Sequence, residues 1–379
     1  MEALSEKFML RAIELARFGT GRTNPNPLVG AVIVKNGEII GEGWHHAWGE
    51  LHAEREALKN CYQNGKNPEG ATIYVTLEPC CHFGKQPPCT HALVEAKIAR
   101  VVVGSRDPNP LVHGKGNSYL REHGILVEED FLRSECDALN PIFLYYIQKK
   151  LPYVALKFAM TLDGKIACKT GESKWISNEK SREYVHALRN CYSGILAGIN
   201  TVLKDDPMLN CRLCNDSGEL TGRNPVRIIL DSNLKIPLES KIVKSAREIK
   251  TIAACCDSCP DFQSKRAALE KAGVEILCTK SFMDEKTHKA QVDVLELMKI
   301  LGEKQIDSVL VEGGGEVHYS MLNSGLVNKI YAFVAPKIFG GNAKSPVGGE
   351  GVNLVDEAFK FHLEKSTRFD DDILLEYVI

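Results

Sequence analysis

The sequence predicts two consecutive α/β domains, and three observations carry that prediction. Its 379 residues are about twice the usual domain length, so two domains are the default expectation. Both halves alternate helix-patterned and strand-patterned segments. A break at Lys149-Lys150-Leu151-Pro152 separates them, giving expected domains at residues 1–149 and 150–379.

In the first half, Ser5 to Phe18 sets Phe8, Ala12, Leu15 and Ala16 at helical spacing, with Ser5 at the cap position. Leu28 to Val34 is a short apolar strand, and Asn36-Gly37 before Glu38, Ile39 and Ile40 predicts a tight hairpin. A helix from about His52 to Cys61, a strand at Ala71 to Thr76, a helix after Cys89 and a strand at Arg100 to Gly104 continue the pattern. Asp107-Pro108-Asn109-Pro110 reads as a loop, and Phe131 to Gln148 as a closing helix that Pro141 kinks or divides. The second half opens with a strand at Tyr153 to Ala159, then a helix from Asn178 to Arg189 and strands at Gly194 to Ala197, Val226 to Asp231 and Thr251 to Ala254. A helix at Gln291 to Leu301 and strands at Ser308 to Glu312 and Lys329 to Ile338 follow. Residues 211–224 and 341–353 are loop-like, and no repeat or low-complexity tract occurs.

Composition narrows the function classes. With 44% apolar and 25% charged residues, the chain is ordinary for a globular protein, and no segment offers the roughly 18 apolar residues of a membrane span. The start MEALSEKFMLRAIELARF lacks the basic, apolar and small-residue regions of a secretory signal, so a cytoplasmic location is expected. A net charge of −2 favours a small-molecule substrate over nucleic acid. Thirteen cysteines is an odd number for a disulfide framework, so thiols are expected as core residues, metal ligands or bystanders.

The strongest chemical signal is His52-Ala53-Glu54 followed by Pro79-Cys80 and Pro88-Cys89. One imidazole and two thiolates give zinc three protein ligands and leave a position open for water, which implies catalysis. Glu54 is then the group that takes a proton from that water and hands it to a leaving nitrogen. Pro79 and Pro88 stop the preceding segments, and a helix start after each would help hold Cys80 and Cys89 as thiolates. Histidine, one residue, glutamate, then Pro-Cys and a second cysteine is the zinc deaminase pattern, except that its cysteines are usually three apart and these are nine apart. The bland alternative makes His52 a helix cap and the cysteines small core residues. Cys81, His82 and His91 are read as neighbours rather than ligands, because a catalytic zinc needs three.

These segments resemble the bifunctional deaminase/reductases of riboflavin biosynthesis over nearly the whole chain. The resemblance rests on Asn24 to Gly30, His52-Ala53-Glu54, Thr76 to Cys80, Pro87-Pro88-Cys89 and Arg106 to Pro110, with the wide Cys80 to Cys89 spacing as its distinguishing mark. It implies a cytidine-deaminase-like three-layer N-terminal domain that binds one catalytic Zn2+. The implied substrate is a diaminopyrimidinone carrying a ribosylamino 5′-phosphate, which loses its 2-amino group to water. Asn26, His45 and Lys85 are implied as substrate contacts. Asn26 can both donate to and accept from a pyrimidine edge, and Lys85 and His45 can meet phosphate or ribose. Asn26 beside Pro27 also suits a plain turn, and Lys85 a solvated loop charge.

The second half says less by itself. Val311-Glu312-Gly313-Gly314-Gly315 ends an apolar strand before a helix-like run from Glu316 to Asn323, an arrangement that lets backbone amides approach phosphate. Its spacing is not the GxGxxG fingerprint. Lys157 to Lys165, Gly171 to Ile176, Thr201 to Pro207 and Val311 to Gly315 are similar to the family's reductase domain, which implies a dihydrofolate-reductase-like α/β fold and NADPH. By that resemblance Ala159, Trp175, Thr201, Asp205, Ser232, Gly314 and Gly315 bind the cofactor, and Ser173, Arg189, Leu209, Arg212 and Glu312 the substrate. The implied step is hydride transfer to C1′, opening the ribosyl group to ribityl. Two arginines suit a phosphorylated substrate, although Arg189 also suits a helix C-terminus. No acid or base for this step stands out, and Asp205 and Glu312 are the carboxylates to test first.

Cys211-x-x-Cys214 and Cys256-x-x-Cys259 form two CxxC pairs, but the 41 intervening residues and two expected core strands argue against a second, structural zinc. Two other functions compete with the bifunctional enzyme. A nucleic-acid base deaminase with an accessory binding domain would need a basic, aromatic-rich surface, whereas aromatics are 7% and no basic tract occurs. A chain with one inactive scaffolding domain would more readily have lost the second activity, since the zinc ligands are complete. A homo-oligomer acting on small phosphorylated pyrimidines, without nucleic acid or membrane partners, is the expectation.

Overall fold

The computed structural model describes residues 4–215, 217–283 and 290–379. The chain divides into two compact units, Met1–Lys150 and Leu151–Ile379. Asp216, in the loop-like stretch 211–224, lies outside the described residues.

The first unit runs α1 (Glu6–Arg17), β1 (Gly30–Lys35), β2 (Glu38–Trp44), α2 (Ala53–Gln63), β3 (Thr72–Leu77), α3 (Cys89–Glu95), β4 (Arg100–Ser105), α4 (Lys115–Glu122), β5 (Leu126–Glu128), α5 (Arg133–Asp137) and α6 (Pro141–Lys149). Its sheet has the order β2-β1-β3-β4-β5, antiparallel on either side of β1 and parallel from β3 onward. Alternate residues of one strand serve opposite faces. Ala31, Ile33, Ile73 and Val75 pack with α2, α3 and α4, while Val32, Val34 and Tyr74 pack with Phe8, Met9 and Ala12 of α1. The result is three layers.

Asn36 and Gly37 both have positive φ, 53° and 77°, as a two-residue hairpin turn requires. Gly43 lets α2 lie directly on β2, because a Cβ there would stand 2.6 Å from the Ala53 carbonyl oxygen. That close approach sets where the chain leaves β2 and starts α2, and therefore where His52 sits.

Several expectations are corrected. Ser5 occupies the cap position of α1 but its side chain caps nothing. The first strand begins at Gly30, not Leu28. Of the two outcomes expected at Pro141, a kink or a division, the structure has the division, with Pro141 opening α6 at a position that needs no N–H donor. The polar α4 and three-residue β5 were not anticipated.

The second unit runs β6 (Tyr153–Thr161), α7 (Glu179–Cys191), β7 (Gly194–Gly198), α8 (Ile199–Asp205), β8 (Val226–Leu230), α9 (Lys241–Lys244), β9 (Thr251–Cys256), α10 (Phe262–Ala272), β10 (Val274–Thr279), β11 (Ser281–Met283), β12 (Ala290–Val292), α11 (Val294–Glu303), β13 (Ser308–Val311), α12 (Gly315–Asn323), β14 (Val327–Ala335), β15 (His362–Phe369) and β16 (Asp372–Val378). Nine strands form one sheet in the order β10-β9-β8-β7-β13-β6-β14-β16-β15. It is parallel from β10 to β14 and antiparallel at β16 and β15. The central strands are buried on both faces, between a core that includes Leu297, Met298 and Met321 and one that includes Ile242, Val243 and Leu269. The expected helix at Gln291 starts later, because Gln291 belongs to β12 and the Asp293 side chain accepts the Leu295 and Glu296 N–H groups as the cap. The last long strand spans Val327–Ala335 rather than ending at Ile338.

Candidate active sites

Three elements of the first unit converge on one cluster. His52 is the extended N-cap residue of α2, Cys89 is the first residue of α3, and Cys80 lies in the loop after β3. His52 Nδ1 is 3.5 Å from Cys80 Sγ and 3.4 Å from Cys89 Sγ, and the three ligand atoms lie within 4.8 Å of one another. Zinc with Zn–N about 2.0 Å and Zn–S about 2.3 Å in tetrahedral geometry separates nitrogen from sulfur by about 3.5 Å, so the donor set fits that ion. Among the described residues it is the group of three or more His, Cys, Asp or Glu side chains with this proximity. Only Cys89 begins a helix, which corrects half of the proline-based expectation. Cys80 still gains from it, because its sulfur accepts the Cys89 backbone N–H at 3.4 Å.

The two thiols are shifted in opposite senses. A hydrogen bond from the Cys89 thiol holds Cys80 at about 4, with His52 adding to the effect. The same bond, then burial, pushes Cys89 well up. Cys80 is thus the first thiolate of the pair. Glu54, two residues from His52 in the first turn of α2, is 3% exposed. Burial, then the Cys80 charge, raises its carboxyl, which brings the protonated form within reach.

The Cys80 loop is fixed by a residue that sequence reasoning passed over. Buried Glu78 accepts the N–H groups of Gly114 at 3.1 Å, Gly116 at 3.2 Å and Asn117 at 3.4 Å, and so caps α4. A Cβ on Gly116 would collide with the Pro79 carbonyl oxygen. The Glu78-Pro79-Cys80 turn therefore lies flush on the start of α4, while the Cys80 carbonyl accepts the Thr90 N–H at 3.2 Å. The signal was present as a carboxylate two residues before a ligand, but its partner helix was not recognised.

Asn26 and His45 stand beside the cluster. His45 Nδ1 contacts the Leu51 carbonyl at 3.0 Å, which assigns the proton to Nδ1 and leaves Nε2 to accept from Asn26 Nδ2 at 3.2 Å. Burial lowers the His45 pKa, so the ring is neutral, and its centroid is 5.4 Å from that of His52. Lys85 makes no contact with these residues; its Nζ is 3.1 Å from the ring centroid of Trp48, in a loop that Gln86 ties to the Gly49 carbonyl at 2.9 Å. His91 stacks on Tyr119, and Cys81 Sγ points to the Leu111 carbonyl.

The second unit has a cavity of about 360 Å³ at the carboxyl ends of its central parallel strands, where α/β sheets bind ligands. Ala159, Ser173, Trp175, Thr201, Asp205, Glu312, Gly314 and Gly315 line it. So do Lys157, Arg182, Lys204, His318 and Lys344, which sequence reasoning did not single out. Gly313 approaches so closely that a Cβ would stand 3.0 Å from Thr201 Oγ1, and Gly314 has φ 80°. Cationic side chains around a glycine cradle that opens α12 fit a polyanionic dinucleotide.

The structure does not bring Ser232, Arg189, Leu209 or Arg212 to the cavity wall. Ser232 lies in the turn after β8, two strands from β13, where its carbonyl accepts the Cys256 N–H at 3.2 Å. Leu209 is buried with φ 46°. Arg189 grips Glu312 with two bonds, 2.6 and 3.0 Å, and spends Nη1 on the Asn210 carbonyl at 2.9 Å. Lys157 Nζ is 3.6 Å from the same carboxylate. Burial pushes Glu312 up, but the Arg189 and Lys157 charges outweigh it and hold it at about 2. Glu312 is therefore an anion at neutral pH. Arg212 is exposed, with Nη1 on Asn210 Oδ1 at 2.7 Å.

Of the CxxC cysteines, Cys211 Sγ points to the His186 carbonyl and Cys214 belongs to an isolated bridge with Leu220, while Cys256 ends β9. Cys259 follows β9 and turns its sulfur toward the Pro260 carbonyl. No helix of the described residues is long and apolar enough to cross a membrane.

A family model for the cytidine and deoxycytidylate deaminase zinc-binding region matches residues 2–105, and one for the RibD C-terminal domain matches residues 152–375. The riboflavin biosynthesis protein RibD of Actinobacillus pleuropneumoniae is 48% identical over 98% of this chain and 94% of its own length. A Thermotoga maritima crystal structure, described as a diaminohydroxyphosphoribosylaminopyrimidine deaminase/5-amino-6-(5-phosphoribosylamino)uracil reductase, is 40% identical, with a TM-score of 0.84 and 98% of both chains covered. Acinetobacter baumannii RibD in one crystal form is 36% identical with the same TM-score and coverage.

Proposed function

The chain belongs to the RibD family of riboflavin biosynthesis deaminase/reductases, and from that premise we propose how its residues divide the two reactions. It is a bifunctional enzyme, a hydrolase and an oxidoreductase, with a cytidine-deaminase-like domain that takes Zn2+ and a dihydrofolate-reductase-like domain that takes NADPH. We infer that it deaminates 2,5-diamino-6-(5-phosphoribosylamino)pyrimidin-4-one and then reduces the ribosyl group of the resulting 5-amino-6-(5-phosphoribosylamino)uracil to ribityl.

The observation that carries the deaminase reading is buried Glu54 beside the His52, Cys80 and Cys89 donor set. Zinc bound there supplies Lewis-acid activation of water. Glu54 accepts the proton of the attacking water and returns it to the departing amino nitrogen. Asn26, oriented by neutral His45, reads the pyrimidine edge, and Lys85 meets the ribose phosphate.

NADPH supplies the hydride in the second unit. The Gly314 and Gly315 amides, Ala159, Trp175, Thr201 and Asp205 hold it at the cavity wall, with Ser232 meeting it beyond that wall at the carboxyl end of β8, and Ser173 and Glu312 hold the substrate in the cavity, with Leu209 and Arg212 meeting it outside the wall. The two arginines differ in role. Arg189 has three of its donors committed to Glu312 and Asn210, so it positions Glu312, whereas exposed Arg212 keeps nitrogens free for a phosphate fork.

The same reading makes the enzyme a cytoplasmic homo-oligomer that acts on small phosphorylated pyrimidines rather than nucleic acid. The net charge of −2 supports the substrate class, and exposed Leu354, Val355, Phe359 and Leu363 support an interface.

Glu54→Gln tests the division of labour. Zinc content should stay at the wild-type level, deamination should fall by roughly 10²–10⁴-fold, and reduction of supplied uracil intermediate should continue. Loss of both activities in a folded, zinc-loaded variant would overturn two separate sites.

A further inference from the structure

The reductase unit holds a thiol pair that its chemistry does not use. β10 is the edge strand of the nine-stranded sheet, and it pairs in register with β9 so that Cys278 lies opposite Cys255. Their sulfurs are 3.4 Å apart. Neighbouring strands are about 4.8 Å apart, inside the Cα separation that a disulfide spans, so side-chain rotation alone can bring the sulfurs to bonding distance. Cys278 is exposed at the sheet edge and Cys255 is buried. Among the described residues no third His, Cys, Asp or Glu ligand atom lies within 4.8 Å of both sulfurs, so the pair suits a two-thiol reaction better than a metal.

We propose that Cys255 and Cys278 form a reversible cross-strand disulfide when a peroxide reaches the exposed edge of β10. The Cys278 sulfur attacks one peroxide oxygen: an S–O bond forms, the O–O bond breaks, and the leaving hydroxide departs as the first water with the Cys278 thiol proton. The Cys255 sulfur then attacks the sulfenic sulfur of Cys278. The S–S bond forms as the S–O bond breaks, and the Cys255 proton departs in the second water. Two thiols lose two electrons in all, and one peroxide becomes two waters. A dithiol reverses the bond by exchange. Burial pushes the Cys255 thiol up, in keeping with its part as the second, resolving sulfur. In the adjacent CxxC motif Cys256 packs in the opposite core from Cys255, and Cys259, which shares the Cys255 core, has its sulfur 3.6 Å from the Pro260 carbonyl, whereas Cys278 is the cysteine in register with Cys255.

The test treats the full-length zinc-loaded protein with hydrogen peroxide, quenches it in acid, and blocks remaining thiols with N-ethylmaleimide during unfolding at low pH. Peptide mapping by mass spectrometry then locates the bond. We expect a linked peptide joining residues 255 and 278 that dithiothreitol dissolves. It should be lost in Cys255→Ser and Cys278→Ser and retained in Cys256→Ser and Cys259→Ser. The proposal is overturned if Cys278 goes on to sulfinic or sulfonic acid while Cys255 stays blocked as a free thiol, if Cys278 links to another cysteine, or if Cys278 stays reduced. Circular dichroism of each variant keeps misfolding from imitating these results.

Discussion

Removing the Glu78 carboxylate should loosen the zinc site without touching a ligand. Glu78→Ala strands the N–H groups of Gly114 and Gly116, whose bonds to the carboxylate are 3.1 and 3.2 Å long, and a third, weaker one from Asn117 at 3.4 Å. Hydrogen bonds to charged groups contribute about 1.5–3 kcal/mol each, so the two shorter ones, which form the helix cap, are together worth about 3–6 kcal/mol. Partial rehydration of α4 offsets some of this, so a loss of about 3 kcal/mol in the stability of the first unit is expected. Because Cys80 follows two residues later, zinc affinity should weaken about 10–100-fold, the usual result of removing a group that orients a ligand. Competition with a chromophoric chelator measures the affinity, and urea unfolding measures the stability. Glu78→Gln, which keeps one acceptor oxygen, should fall between wild type and alanine. Glu69→Ala, on an exposed carboxylate paired with Lys97, should change neither. A folded Glu78→Ala protein with wild-type zinc affinity would refute the positioning argument.

In the second unit, Glu312 binds a proton more weakly when folded than when unfolded, being held at about 2 instead of 4.5. Its contribution is therefore fully present above about pH 4.5 and disappears as pH falls through about 2, a change on the order of 3 kcal/mol. Acid unfolding of Glu312→Gln should lack that drop, and an unchanged profile would contradict the assignment. Arg212→Ala should raise the KM for the phosphorylated substrate about tenfold or more while leaving the KM for NADPH near wild type; the reverse pattern would reassign it. Gly43→Ala should unfold the first unit, seen by loss of cooperative melting, since its methyl meets the α2 backbone at Ala53 and Ala57.

Legibility in the sequence followed how local each signal was. The Asn36-Gly37 turn, the central strands and the zinc donor set could be read because turn chemistry, apolar runs and ligand types are written in a few adjacent residues. Strand β15, His362–Phe369, could not, because its mostly exposed sequence lacks an apolar alternation and is a strand only by pairing with β16. Helix α4 is polar and follows Gly114, and the carboxylate that caps it comes from Glu78, 36 residues before that glycine in the chain. The cations around the reductase cavity, Lys157, Arg182, Lys204 and Lys344, are similarly scattered. Family resemblance supplied eight residues of that cavity wall, but it could not reveal that Arg189 is already bound to Glu312. The Cys255 and Cys278 pair was hidden too, since strand register alone makes them neighbours.

The central claim is that one chain carries a zinc-dependent deaminase and a separate NADPH-dependent reductase acting in sequence. Metal analysis combined with NADPH oxidation, started from either the diaminopyrimidinone or the deaminated uracil, tests it most directly. We predict one zinc per chain and NADPH oxidation from both starting compounds in wild type. After zinc removal by a chelator, oxidation should persist from the uracil alone. Full oxidation from the diaminopyrimidinone in zinc-free protein, or its loss from both compounds in folded zinc-free protein, would contradict the account.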